Sequence, residues 1–308
     1  MVSNTLTKKT SMKQFIPIYL LMLPGILLLL IFNYIPMGGI FIAFKDVSPF
    51  EGLKGMFTAP WVGLANFTKF FDSYYFWNLL GNTLSISVKK LVVTFPASIT
   101  LALLLNELMH EKFKKVVQTV SYMPHFISMV ILTGLMTSML TTNGGLVNQV
   151  IIALGGKSIF FLGDPKYFQG VLVFSSAWKD VGWNSIIYLA AITSVDVAQH
   201  EAAIIDGANR FKRALHITLP AISNIIVIML ILSIGKLMNA GFEQILLLYS
   251  PSVYQVGDII DTYVYREGVT KLAYSYTTAV GLFKSVISLI LVGGTNKLSK
   301  KFGQDAIW

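Results

Sequence analysis

Residues 15–44 form a run of thirty without one charged side chain, and a helix needs only about 20 apolar residues to cross the hydrocarbon core of a bilayer. A chain with such a segment folds in contact with lipid. There every backbone N–H and C=O must be satisfied internally, so only helices or closed barrels can span. Run lengths of this kind select helices. Five further apolar stretches follow, at about 79–105, 116–140, 171–192, 221–239 and 273–292, and the expected fold is an all-α polytopic membrane protein with six transmembrane helices. The composition agrees, since 54% hydrophobic against 13% charged residues lies well off the soluble average. Lys8, Lys9 and Lys13 ahead of the first run are also what a cleaved signal peptide carries. The run is too long for one and no A-x-A-like site follows it, so it is expected to stay as a span.

Six spans put both termini on one side of the membrane, and short cytoplasmic loops are enriched in Lys and Arg. With the N-terminus inside, twelve basic residues are cytoplasmic: Lys8, Lys9, Lys13, Lys112, Lys114, Lys115, Arg210, Lys212, Arg213, Lys297, Lys300 and Lys301. Seven face outward: Lys45, Lys54, Lys69, Lys157, Lys166, Arg266 and Lys271. The expected topology is therefore N-in/C-in, with tails at 1–14 and 297–308, a six-helix membrane domain at 15–296, outer segments at 45–78, 141–168 and 241–271, and a long cytoplasmic loop at 194–220. The net charge of +9 is spread in short clusters, so nucleic acid is not an expected partner. With no cysteine, disulfides, thiolate catalysis and Cys-based metal sites are excluded. The four histidines, His110, His125, His200 and His216, have no i, i+4 pair, and no metal site is expected.

The loop at 194–220 is not polar filler. Asp196 followed by Gln199 resembles a capping box, which starts a short helix through Glu201, Ala202 and Ala203. Gly207 is suited to end that helix in a left-handed conformation. The two alanines let another protein's backbone approach closely, Glu201 offers a carboxylate to a partner cation, and Pro220 fits the first turn of the next span.

The spacing Glu201-Ala202-Ala203, three residues, Gly207, nine residues, Ile217-Thr-Leu219-Pro220 resembles the "EAA" loop of permease subunits of binding-protein-dependent type I ABC importers, without a gap. Flanking segments, among them Asn33-Tyr-Ile-Pro36, Pro60-Trp-Val-Gly63, Tyr122-Met-Pro124-His-Phe126-Ile-Ser128 and Gly182-Trp-Asn-Ser-Ile-Ile-Tyr-Leu189, are similar to the polysaccharide and complex-oligosaccharide branch of that family. The resemblance implies a bacterial cell-membrane subunit acting with a second, homologous permease, two ATP-binding subunits and an extracytoplasmic solute-binding protein. It further implies that Glu201, Ala202, Ala203, Asp206, Gly207, Ile217, Leu219 and Pro220 couple this chain to the ATPase. ATP and Mg²⁺ then belong to the partner subunits, with no cofactor on this chain and no catalytic residue. The residues agree: Gly156-Lys157-Ser158 fails the phosphate-loop pattern because its first glycine position holds Ile151.

Charged residues at membrane depth cost a few kcal/mol each, so they face the bundle or a wet cavity. Lys179 and Trp183, and Asp180 and Asn184, form adjacent i, i+4 rows on the fourth span. An aromatic beside hydrogen-bonding groups suits a sugar. Lys284 and Ser288 share a small, polar face of the sixth span with Thr277 and Gly281. These six residues, Lys179, Asp180, Trp183, Asn184, Lys284 and Ser288, are the candidate substrate path, against the plainer reading that they pair or pack within the bundle. Lys89 and Lys90 either snorkel outward or face the bundle, and Lys236 and Glu243 are expected near the outer end of the fifth span. The function expected is import of an oligosaccharide. The alternatives are a non-sugar solute, an ATPase-independent carrier or channel, and an enzyme acting on lipid-linked sugars, which the lack of paired carboxylates or a His cluster at one depth disfavours.

Overall fold

Four helices in the computed structural model are long and apolar enough to cross a membrane, Ile16–Phe44, Phe76–Asn106, Ser223–Leu248 and Tyr274–Lys301 (spans 1, 2, 5 and 6). Two bent pairs pass the same test together: Glu111–Phe126 with Met129–Leu140 is span 3, and Pro165–Ile192 is span 4, continued at an angle by the loop helix Val197–Ile205, which brings the number to the expected six. The structure describes residues 15–301; the tail lysines Lys8, Lys9 and Lys13 and the segment 302–308 lie outside the described residues. Every regular element among those described is helical, with one isolated antiparallel bridge between Lys45 and Trp61. Span 6 runs to Lys301, past the boundary at 296 expected from its last apolar residues.

Span 3 departs from the continuous helix expected over 116–140: its two parts meet at 99°. The cause is local. Pro124 has no N–H to continue the ladder, Met123–Phe126 tightens to a 3₁₀ turn, and Ser128 caps the next helix by accepting from Ile131 N–H. The carbonyls freed at the bend are met by span 4, where the Lys179 ammonium donates to His125 O at 2.7 Å and to Ile127 O. Trp183 stacks on the His125 ring at 4.6 Å and 3°, and Asp180 Oδ1 lies 3.2 Å from His125 Nδ1. Gly182 lets the two backbones touch, since a Cβ there would stand 1.9 Å from Ser121 O.

Span 5 is broken as well. Regular helix stops at Gly235, a 3₁₀ turn covers Leu237–Asn239, and Ala240 and Gly241 both turn left-handed (φ 44° and 84°) before helix resumes at Phe242–Leu248. Span 2 supplies the missing donors. Ser87 Oγ donates to Leu237 O, and Lys90 Nζ donates to Ala240 O at 2.9 Å and to Gln244 Oε1 at 2.6 Å. Gln244, buried, completes the join: its Oε1 also accepts from Ser176 Oγ, while its Nε2 donates to Ser175 Oγ and Leu172 O on span 4.

The outer segments close over this arrangement. Phe70, Phe76, Tyr263 and Tyr276 form a buried aromatic cluster joining the segment at 45–78 to spans 2 and 6. Asn66 donates to Ala43 O and Lys45 O, and Gly63 makes the turn ahead of the short helix Ala65–Phe71. Buried Asp258 takes both arms of Arg266 and the Thr262 hydroxyl. Burial opposes the Arg266 charge, but Asp258 and Tyr249 outweigh it and hold the guanidinium above the ordinary arginine range. Lys284 on span 6 is held by both oxygens of Asp261, at 2.6 and 2.7 Å.

Gln244→Leu removes four hydrogen bonds and leaves Lys90 with one acceptor. At about 1 kcal/mol for a neutral bond and more for the charged one, the expected loss is roughly 3 kcal/mol or more, read as a lower unfolding temperature in detergent. Unfolding like that of the unaltered chain would show that the hub does not hold the break. Lys284→Met strands the Asp261 carboxylate and is expected to cost about 2 kcal/mol, most of which returns when Asp261→Leu is added. A double variant no more stable than the single one would contradict that coupling.

Candidate functional site

Two features combine geometry with chemistry: a cavity between spans and the loop helix. The cavity, about 490 Å³, is walled by rows at three- and four-residue spacing from three helices. Span 4 gives Ser176, Asp180, Asn184 and Tyr188; span 2 gives Ser87, Lys90, Thr94 and Ser98; span 5 gives Met229, Ser233 and Lys236. Gln244 and the Ala240–Gly241 break form one end. Lys90 lies 14 residues from Phe76 and 16 from Asn106, and Asp180 lies 15 from Pro165 and 12 from Ile192. Both are therefore close to the middle of their spans, and the cavity sits at mid-depth. Hydroxyl, amide, ammonium and carboxylate groups with a few apolar side chains are what a polyhydroxylated solute needs.

Of the six candidate path residues, Asp180 and Asn184 line this cavity, while Lys179, Trp183, Lys284 and Ser288 do not. Lys179 and Trp183 hold the bend of span 3, and Lys284 is committed to Asp261. Ser288 is half-buried on span 6. Lys90 faces the bundle, while Lys89 is exposed and reaches Gln169 Oε1 on span 4. Lys236 is on the cavity wall and not near the outer end, because the outer part of span 5 is the separate helix Phe242–Leu248. Sequence reasoning missed Ser176, Tyr188 and Gln244. Extending the Asp180–Asn184 row by one turn each way finds the first two; nothing local marks Gln244, whose partners are about 70 and 150 residues away.

The loop helix spans Val197–Ile205 and lies at 80° to span 4. Asp196 caps it through Ala198 N–H at 2.9 Å, a turn that does without the Gln199 side chain expected for a capping box. Its other end is a Schellman motif, with Ala208 N–H donating to Ala203 O (2.8 Å), Gly207 N–H to Ile204 O (3.0 Å), and Gly207 at φ +77°. Glu201, Ala202, Asp206 and Gly207 are exposed and Ala203 half-buried. Val197, Ile204, Ile205 and, further on, Phe211 are exposed apolar side chains beside them, a patch of the kind that marks a protein contact. A π-turn at Ala214–Thr218 leads to Leu219–Ala221, which places Ile217 and Leu219 half-buried and Pro220 at the entry to span 5. Arg210, near the end of the loop, meets Glu107 of the span 2–3 connection at 3.7 Å.

Comparison with known proteins agrees with this architecture. Residues 94–304 match the family model "Binding-protein-dependent transport system inner membrane component". The chain is 47% identical over 291 residues to the protein LplB of Bacillus subtilis (94% of this chain, 91% of the relative). It is equally identical to the polygalacturonan/rhamnogalacturonan transport system permease YteP of the same organism (94% and 90%). A solved bacterial ABC transporter involved in import of the acidic polysaccharide alginate contains a chain that superposes with TM-score 0.87 at 38% identity, covering 94% of this chain and 96% of the other. The alginate transporter solved with its alginate pentasaccharide-bound periplasmic protein gives 0.88 at 37% identity, covering 96% and 98%. This chain, a multi-pass membrane protein with the type I importer permease fold, belongs to the family of binding-protein-dependent transport system inner membrane components.

Proposed function

We propose that this chain is a non-catalytic transmembrane subunit of an ATP-driven importer, passing inward an oligosaccharide that an extracytoplasmic binding protein delivers. The observation that carries the reading is the loop helix: capped at both ends, turned away from its span, and with Glu201, Ala202 and a rim of apolar side chains exposed. Exposed apolar residues beside small ones suit a cleft in another protein. The names of the relatives, which concern polygalacturonan, rhamnogalacturonan and alginate, support a sugar polymer over the other solutes that family members carry. The mid-depth cavity supplies hydroxyl and amide groups for it.

In this reading the partners are a second, homologous permease and two ATP-binding subunits that hold ATP and Mg²⁺. ATP binding draws the two ATPases together, their clefts move the loop helices, and the cavity opens toward the docked binding protein; hydrolysis resets it. Glu201, Ala202, Ala203 and Gly207 do mechanical work, with Asp206, Ile217, Leu219 and Pro220 holding the shape of the loop.

Gly207→Asp tests the coupling role sharply. Aspartate tolerates the left-handed region better than most residues, and no atom lies within 4 Å of a Cβ at this position, so the turn persists while a charge enters the docking face. Uptake is expected to be abolished, with membrane insertion and quantity unchanged by immunoblot; replacing Glu201, Ala202 and Ala203 together by bulky residues does the same. Full transport by both variants would instead favour a carrier independent of an ATPase.

A further inference from the structure

The loop helix needs a fixed base if a push on it is to move the spans. Within this chain no residue of Val197–Ile205 is buried, so packing does not supply that base. At its entry the chain winds out of span 4 through backbone turns, with Thr193, Ser194 and Val195 N–H donating to Leu189, Ala191 and Ile192 O. At its exit stands Arg210, three residues after the left-handed Gly207, which is at most about 11 Å of chain. The Arg210 Nε lies 3.7 Å from Glu107 Oε2, and its Nη2 donates to Met109 Sδ at 3.5 Å.

These two charges occupy positions that their own helices disfavour. Glu107 is the C-cap of Phe76–Asn106, where the helix dipole presents its negative end. Arg210 is the first helical residue after the Asn209 cap, where the dipole end is positive. Local stability would favour the opposite sign at both places. What the arrangement gives is attraction between the end of span 2 and the helical run Arg210–Arg213, Ala214–Thr218 and Leu219–Ala221 that leads into span 5. Glu107 follows Leu105 by two residues, in the apolar cluster where span 2 meets Ile222. Span 2 already holds span 5 at mid-depth through Ser87 and Lys90, so the pair is a second tie between them, made at the loop.

We infer that Glu107 and Arg210 are positioning residues for coupling: their ion pair fixes the exit of the loop to span 2, so that a push on the loop helix moves spans 2 and 5 together and reshapes the cavity between them. The inference deepens the importer reading and rests on it. The two side chains are 32% and 60% exposed, and an exposed pair shifts an equilibrium by about five-fold at most. Its effect therefore falls on coupling and not on whether the chain folds.

The test uses the purified complex of this chain with its second permease, ATPase subunits and binding protein. Because the chain has no cysteine, Asn184→Cys places one reporter thiol on the cavity wall, and its labelling by a small water-soluble maleimide is read on this chain with and without ATP. With the pair intact, ATP is expected to change the labelling rate. Arg210→Glu and Glu107→Arg are each expected to cut that change about five-fold, with ATP hydrolysis retained. The unfolding temperature stays close to that of the unaltered chain, since each reversal loses the pair but suits its own helix end. Exchanging the two charges in one chain is expected to restore most of the response. An undiminished response in both single variants overturns the inference. So does a loss caused by Arg210→Glu alone, or one that the exchange does not restore, either of which would set Arg210 against the ATPase and not against Glu107. A lower unfolding temperature accompanying the loss makes the pair a structural tie alone and overturns it too. If the unaltered pair gives no ATP-dependent labelling, the importer reading itself falls, and this inference with it.

Discussion

A lipid-embedded backbone cannot leave its carbonyls unpaired, and this chain interrupts two spans near mid-depth. Everything central to the structure follows from how those interruptions are satisfied. At the bend of span 3 the donor is Lys179; at the break of span 5 the donors are Ser87 and Lys90. In both cases a neighbouring span lends a side chain, so each broken helix is tied to an unbroken one. The breaks can exist only because spans 2 and 4 pass beside them, which is why these two spans make the most extensive contact in the molecule and form its core with the buried Ile86, Phe168 and Leu172.

The same requirement sorts the five lysines at membrane depth. Lys179 and Lys90 satisfy carbonyls, Lys89 holds the amide of Gln169, and Lys284 is matched by Asp261. Each has a structural reason to be there. Lys236, exposed just past the end of Ser223–Gly235, lines the cavity.

The sequence disclosed what is local and hid what is distant. Spans appear as uncharged runs because burial in lipid acts on each residue separately. The loop helix was readable because Asp196 and Gly207 act on backbone within a few residues, although the cap uses Ala198 N–H and does not need Gln199. Lys179, Asp180 and Trp183 were recognised as a group, yet their partners stand more than fifty residues away at His125, so their bracing of span 3 had no signature in their own neighbourhood. Pro124 within an apolar stretch signals a kink, but its angle depends on the span 4 side chains that receive the freed carbonyls. Lys284 likewise gave no hint of Asp261, since the segment carrying that carboxylate reads as an outer connection and not as part of the packed bundle.

Span 4 joins the two candidate features into one mechanical element. Its cytoplasmic end leads to the loop helix, its middle carries Lys179 and Trp183 against the bend of span 3, and Ser176, Asp180, Asn184 and Tyr188 form a cavity wall. From Asp180 to Ile192 is about 18 Å of helix at 1.5 Å per residue, and among the described residues this stretch has no break of its own. A displacement that reaches the cytoplasmic end of span 4 is therefore carried to the depth of the cavity, and the joint to the loop helix is the 80° turn at 193–196. The breaks lie in the helices on either side, at Pro124 and at Ala240–Gly241, each held by side chains of an unbroken neighbour. A stiff central helix flanked by two hinged ones is an arrangement in which force applied at one membrane face changes the shape of a mid-depth cavity while the hydrophobic clusters at either end of spans 2 and 4 stay packed.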